Sequence, residues 1–158
     1  MNGKPIHTKP ITTLDKALIV AETGSDRGDA KRNAVSDCES HFKSEPLINL
    51  INFIDHHQVI NNVLAIGFKC HGVRQMGSAA LTICHIAEGS VDAYYEFGIH
   101  CWDMAGGVAV LREAGGCVID TKGGEFQLMN RRLIAAATPQ LAKLISDTMV
   151  VHLDMPSD

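Results

Sequence analysis

The 158 residues include five cysteines, at positions 38, 70, 84, 101 and 117, and no Cys-x-x-Cys pair. An odd number at wide spacing argues against a disulfide framework or a zinc cluster and fits a reducing, cytoplasmic compartment. No uninterrupted apolar run approaches the roughly 18 residues of a membrane span, and the opening Met1-Asn2-Gly3-Lys4-Pro5-Ile6-His7 lacks the apolar core of a secretory signal. Basic residues are in deficit: fourteen Lys and Arg against eighteen Asp and Glu give a net charge of −4. That balance lacks the footprint of a nucleic-acid binder. Internal repeats, low-complexity linkers and glycine-rich nucleotide loops are absent too.

What remains suffices for one compact domain. Hydrophobic residues make up 46% and charged residues 20%, and a chain of this size buries roughly 70% of its unfolded surface. Residues 17–21 read as a buried strand ending in the turn signal Thr23-Gly24-Ser25-Asp26, and residues 29–41 as a polar stretch compatible with helix. A buried helix is predicted over 77–88, closed by Gly89, then a strand over 91–97 and a helix over 103–114, with Asp103 near its cap and Gly115-Gly116 ending it. Strand returns at 117–120, a tight turn at Thr121-Lys122-Gly123-Gly124, and strand again at 132–137. Thr138-Pro139 opens a last helix with Leu141, Leu144 and Ile145 on one face, and the tail 152–158 is expected to fray. Alternating strands and helices point to a layered α/β fold.

One stretch differs in composition. Between residues 46 and 68 the only acidic or basic side chain is Asp55, while Ile and Asn recur. This shift predicts an insertion over 44–69, with Leu47, Leu50, Ile51 and Ile54 at helical spacing; the alternative is an ordinary buried helix and strand. His56-His57 within it reads as solvent-facing.

The chemistry concentrates between residues 93 and 116. Glu96 ends a strand, Asp103 starts a helix, and Gly106-Gly107 allow a close approach by backbone or ligand. Asp103 has the oxygen chemistry of a Mg²⁺ ligand and equally that of a helix cap. At the start of the earlier helix, Gly77-Ser78-Ala79-Ala80 could offer backbone N–H groups to a phosphate or hydroxyl oxygen, or could serve only close helix packing. Cys101 has no adjacent base and reads as a small buried thiol. Arg74 suits a structural carboxylate or a subunit boundary.

Read together, these segments resemble a known family. Gly77-Ser78-Ala79-Ala80, Asp92-Ala93-Tyr94-Tyr95-Glu96, His100-Cys101-Trp102-Asp103 followed by x-Ala-Gly, and Glu113-Ala114-Gly115-Gly116 resemble the C-terminal half of the inositol monophosphatase family. Asn2-Gly3-Lys4-Pro5, Ala21-Glu22-Thr23-Gly24, His71-Gly72-Val73-Arg74, Gly123-Gly124 and Met129-Asn130-Arg131-Arg132 extend the resemblance over about residues 1–43 and 70–150. It implies an α/β layered sandwich and a Mg²⁺-dependent, lithium-inhibited phosphatase acting on inositol monophosphates, with galactose 1-phosphate as a side substrate. It also implies a homodimer; the sequence itself indicates no nucleic-acid or membrane partner. By the same resemblance Asp103 is a metal ligand and catalytic residue close to a substrate hydroxyl, and Gly77, Ser78, Ala79 and Glu96 line the inositol site.

The departures carry equal weight. The family's Gly-Glu-Glu and Asp-Pro-x-Asp-Gly-Thr segments, which supply most metal carboxylates, do not occur in the sequence. The chain is therefore expected to represent the C-terminal half of the fold without the metal-binding N-terminal half, and to turn over little substrate alone. The alternatives are a non-catalytic module that pairs with an intact homologue, or a phosphatase for another sugar phosphate.

Overall fold

The apolar run ahead of Glu22 becomes strand β1 (Leu18–Ala21). It lies near the middle of a five-stranded sheet in the computed structural model, which describes residues 3–22, 58–155 and 157. After it come α1 (Gln58–Gly67), β2 (Gly72–Arg74), α2 (Ala79–Ala87), β3 (Ala93–Phe97), α3 (Cys101–Glu113), β4 (Cys117–Ile119), β5 (Arg132–Ala136) and α4 (Pro139–Thr148). The strand order is β2-β1-β3-β5-β4. β1 runs parallel to both β2 and β3, while β5 is antiparallel to β3 and β4.

Period-two alternation splits the strand side chains between two cores. Val20, Tyr94, Leu133 and Ala135 face α2 and α3. Ile19, Tyr95, Phe97 and Ile134 face the other way, onto Ile66 of α1 and Leu141, Ala142 and Ile145 of α4. The result is a helix-sheet-helix sandwich, the layered α/β class expected from the sequence. Asp92, buried just before β3, joins three segments: its Oδ2 accepts from Leu18 N–H at 2.8 Å and its carbonyl from Ala137 N–H at 2.9 Å.

The helices start and stop where their ends are satisfied. Ser78 and Thr138 cap α2 and α4 by accepting from Leu81 N–H (3.4 Å) and Leu141 N–H (3.2 Å), and Pro139 stands in the first turn of α4, where its missing N–H costs nothing. Helices α2 and α3 touch because Gly107 has no side chain. A Cβ there would stand 3.0 Å from Ile83 Cβ and 3.2 Å from the Ala80 carbonyl, whereas one at Gly106 would meet nothing within 4 Å. The two glycines, alike in the sequence, thus have different surroundings.

The outer side of α3 is unusual for a solvent-facing surface. Trp102, Ala105, Gly106, Ala109 and Val110 are all exposed, and Leu81 of α2 adds a further exposed apolar side chain. A helix that is apolar on both sides is normally covered on both.

Two expectations are corrected. The tail is held as far as Asp154: Arg132 Nη1 donates to the Leu153 carbonyl (2.8 Å) and to Asp154 (2.5 Å), while Arg132 Nε donates to Asp120 (2.9 Å). On α4, Leu141 and Ile145 are buried as expected, but Leu144 is exposed.

Residues 23–57 lie outside the described residues, and with them the turn at 23–26, the polar stretch 29–41, the amphipathic pattern at 47–54 and His56-His57. The described remainder of the compositional insert is mostly α1, where Ile66 is buried in the core and Asn62 bonds the tail. No helix among the described residues is long and apolar enough to cross a membrane.

Candidate active site

Ligands of open α/β sheets gather beyond the carboxyl ends of the strands, and the candidate residues stand there. β1 leads into Glu22, β2 leads through Met76-Gly77 into α2, and β3 ends with Glu96 and Phe97 before the turn into α3.

Pairing of Ala21 with Tyr95 carries on to Glu22, whose N–H donates to the Tyr95 carbonyl at 3.5 Å. Alternation along β3 sends Tyr94 and Glu96 to the α2/α3 face. Both are buried, and the Tyr94 hydroxyl donates a short hydrogen bond to Glu96 Oε2. Burial first, then the charge and hydrogen bond of Glu96, then the charges of Glu22 and Asp103, push the Tyr94 hydroxyl far above its ordinary range. Three carboxylates therefore act on one buried phenol.

Asp103 occupies the third position of α3, behind His100 at the cap. Its Oδ2 accepts from His100 N–H at 2.9 Å, which satisfies one orphan donor of the helix start, and its charge complements the helix dipole. The other oxygen, Oδ1, takes no hydrogen bond from the described residues. Helix-end stabilisation and an available carboxylate oxygen thus coexist in one side chain.

At α2, Gly77 has φ +74°, a left-handed conformation that β-carbon-bearing residues rarely adopt. Ser78 is the cap, Ala79 is buried, and the carbonyl of Ala80 lies against Gly107. Close helix packing, the structural alternative for this segment, is realised one turn inward from the exposed Gly77.

Several residues of this neighbourhood carried no role in the sequence. Tyr94 was detectable as the residue two before Glu96, on the same face of a strand. Glu22 follows a buried strand directly, and its Oε1 accepts from Met76 N–H (2.5 Å) and Gly77 N–H (2.8 Å), a pairing that only tertiary structure reveals. Arg131, left-handed at φ 55°, donates through Nη2 to the Gly98 carbonyl (3.1 Å) and contacts His100 Nε2 (3.3 Å). It braces the turn that delivers Asp103. His100 stacks on Trp102, ring centroids 4.5 Å apart. Cys101 is partly buried, as are Cys70, Cys84 and Cys117; burial pushes the Cys117 thiol up to about 11. Arg74 donates to its neighbour's carbonyl, that of Val73, at 2.8 Å.

Mg²⁺ requires several convergent oxygens. Among the described residues no three His, Cys, Asp or Glu side chains are grouped to hold a metal ion. Asp103 offers one carboxylate; the described residues do not by themselves complete a magnesium site.

A model of the "Inositol monophosphatase family" matches residues 1–152. The chain belongs to the inositol monophosphatase family. Human inositol monophosphatase 2 is 38% identical over 148 residues, covering 94% of this chain and 43% of the relative. Bovine inositol monophosphatase 1 is 53% identical over 145 residues, covering 92% and 44%. The solved inositol monophosphatase of Anabaena (Nostoc) sp. PCC 7120 superposes with a TM-score of 0.70 at 25% identity, over 98% of this chain and 53% of that one. The chain therefore spans less than half the length of these two inositol monophosphatases from mammals and about half that of the solved one.

Proposed function

We propose that this chain is the inositol-binding, C-terminal part of a phosphoric monoester hydrolase that releases phosphate from inositol monophosphate. Residues 1–158 then form one partial domain, and the whole enzyme is a cytoplasmic, lithium-sensitive homodimer that uses Mg²⁺. The observation that carries this reading is that Glu96, bonded by Tyr94, and Glu22, bonded to the Met76 and Gly77 amides ahead of α2, lie at the carboxyl ends of parallel strands in a chain of this family.

In this reading Glu96 accepts hydroxyl hydrogen bonds from the inositol ring and so fixes its orientation, with the Tyr94 hydroxyl holding the carboxylate in place. Backbone around Gly77, Ser78 and Ala79 lines the ring. Asp103 would supply one carboxylate to Mg²⁺, with the remaining oxygens coming from outside the described residues. When bound, Mg²⁺ would offset charge developing on the phosphoryl group.

The test is phosphate release from inositol 1-phosphate at millimolar Mg²⁺, with calorimetric binding measured alongside. Little or no turnover is expected from the chain alone, but it should bind inositol 1-phosphate, more weakly after Glu96→Gln. Any turnover should vanish with Asp103→Asn. Absence of both binding and release would overturn the proposal. A second reading, a module that pairs with an intact homologue, is favoured by one observation: the apolar outer stripe of α3, where Trp102 is 71% exposed. Copurification with a full-length homologue, without ligand binding, would support it.

A further inference from the structure

The backbone that opens α2 is not held by α2 itself. Ser78 satisfies Leu81 N–H inside the helix, but the two amides before it, Met76 and Gly77, point away from the helix and onto a carboxylate more than fifty residues earlier in the chain. Glu22 reaches them from the end of β1 with a single oxygen, Oε1, at 2.5 and 2.8 Å. Gly77 needs a left-handed backbone at this point (φ +74°), and a Cβ there would meet nothing within 4 Å, so packing does not impose the turn. A carboxylate bonded to two successive N–H groups does.

Glu22 is itself fixed by the sheet. Its own N–H bonds the Tyr95 carbonyl, beside Glu96, and its charge is among those acting on the Tyr94 hydroxyl that holds Glu96. One side chain therefore connects the two halves of the proposed ring site, the α2 start and the end of β3.

We propose that Glu22 is a positioning residue: its carboxylate clamps the Met76 and Gly77 amides and thereby sets the place of Gly77, Ser78 and Ala79 relative to Glu96. The consequence for ligand binding rests on the inositol reading above; the clamp does not. Glu22 acts through the backbone and touches no reacting atom.

The test compares wild type, Glu22→Ala and Glu22→Gln in the full chain. Amide hydrogen exchange at Met76 and Gly77 is read by NMR, and inositol 1-phosphate affinity by calorimetry at millimolar Mg²⁺. Glu22→Ala removes the acceptor and should speed exchange at both amides, and weaken inositol 1-phosphate binding, each by about tenfold or more. Glu22→Gln keeps an amide oxygen in the same place and should restore both to within about threefold of wild type, a rescue that loss of general stability would not produce. Unchanged exchange in Glu22→Ala, or equal loss in both variants, overturns the proposal. If wild type does not bind inositol 1-phosphate, the inositol reading fails, and the exchange data alone still decide for or against the clamp.

Discussion

Single side chains in this protein carry two functions at once, and their environments make the consequences measurable. The Tyr94 hydroxyl is buried and donates to the Glu96 carboxylate, so Tyr94→Phe removes a hydrogen bond to a charged group at almost constant volume. A loss of about 1.5–3 kcal/mol in urea unfolding is expected, with weaker inositol 1-phosphate binding as Glu96 gains rotational freedom. Asp154 gives a pH signature. Hydrogen bonds from Lys122 and then Arg132 lower its carboxyl from 3.8 to about 2. A depressed carboxyl pKa in the folded state stabilises the fold above the ordinary value, and that stabilisation is lost as pH falls from about 4 towards about 2. The melting temperature of Asp154→Asn should therefore lie below wild type at pH 7 and converge with it near pH 2.

Among the elements, the α2–α3 pair decides where Asp103 and the α2 start meet, and its contact depends on one glycine. Gly107→Ala gains helix propensity but forces a methyl against Ile83 and the Ala80 carbonyl, so a net loss of about 1–2 kcal/mol is expected. Gly106→Ala faces open space and should stabilise by about 0.5–1 kcal/mol. Thermal melts of the two single variants should shift in opposite directions; a shared sign would contradict this account of the helix contact. The sequence marked Gly106-Gly107 as a place of close approach, and helix α3 itself followed from its glycine stop and apolar content. Which glycine faces α2 depends on the rotation of α3 about its axis, and the neighbouring helix sets that rotation.

Across the whole molecule, the ends of the described chain are joined by polar contacts between distant segments. Asn62 of α1 is fully buried, donates to the Val151 carbonyl at 2.7 Å and accepts from Val150 and Val151 N–H at 2.8 and 3.0 Å. Thr138 caps α4 and also donates to the Ile11 carbonyl at 2.6 Å. Asn62→Ala should cost about 2–3 kcal/mol and expose the segment after Met149 to limited proteolysis well before global unfolding. Resistance of that segment equal to wild type would show that the Arg132 contacts alone retain it.

Local pattern determined most of the architecture. Apolar runs bounded by glycine or proline gave β1, β3, α2, α3 and α4, and the Thr138 cap of α4, because period, capping and turn chemistry act over a few neighbouring residues; α3 begins at Cys101, capped by His100, two residues before the start expected at Asp103. Glu96 and Asp103 stood out as candidates through the family's residue blocks, and the structure sets them at the end of β3 and in the first turn of α3. The held tail, the role of Asn62, the different surroundings of Gly106 and Gly107, and the bonds from Glu22 to Met76 and Gly77 were decided only by tertiary structure. Each joins groups far apart in the chain or depends on the facing of one element against another, and polar side chains state no partner until the sheet order and helix rotations have brought one within hydrogen-bond reach.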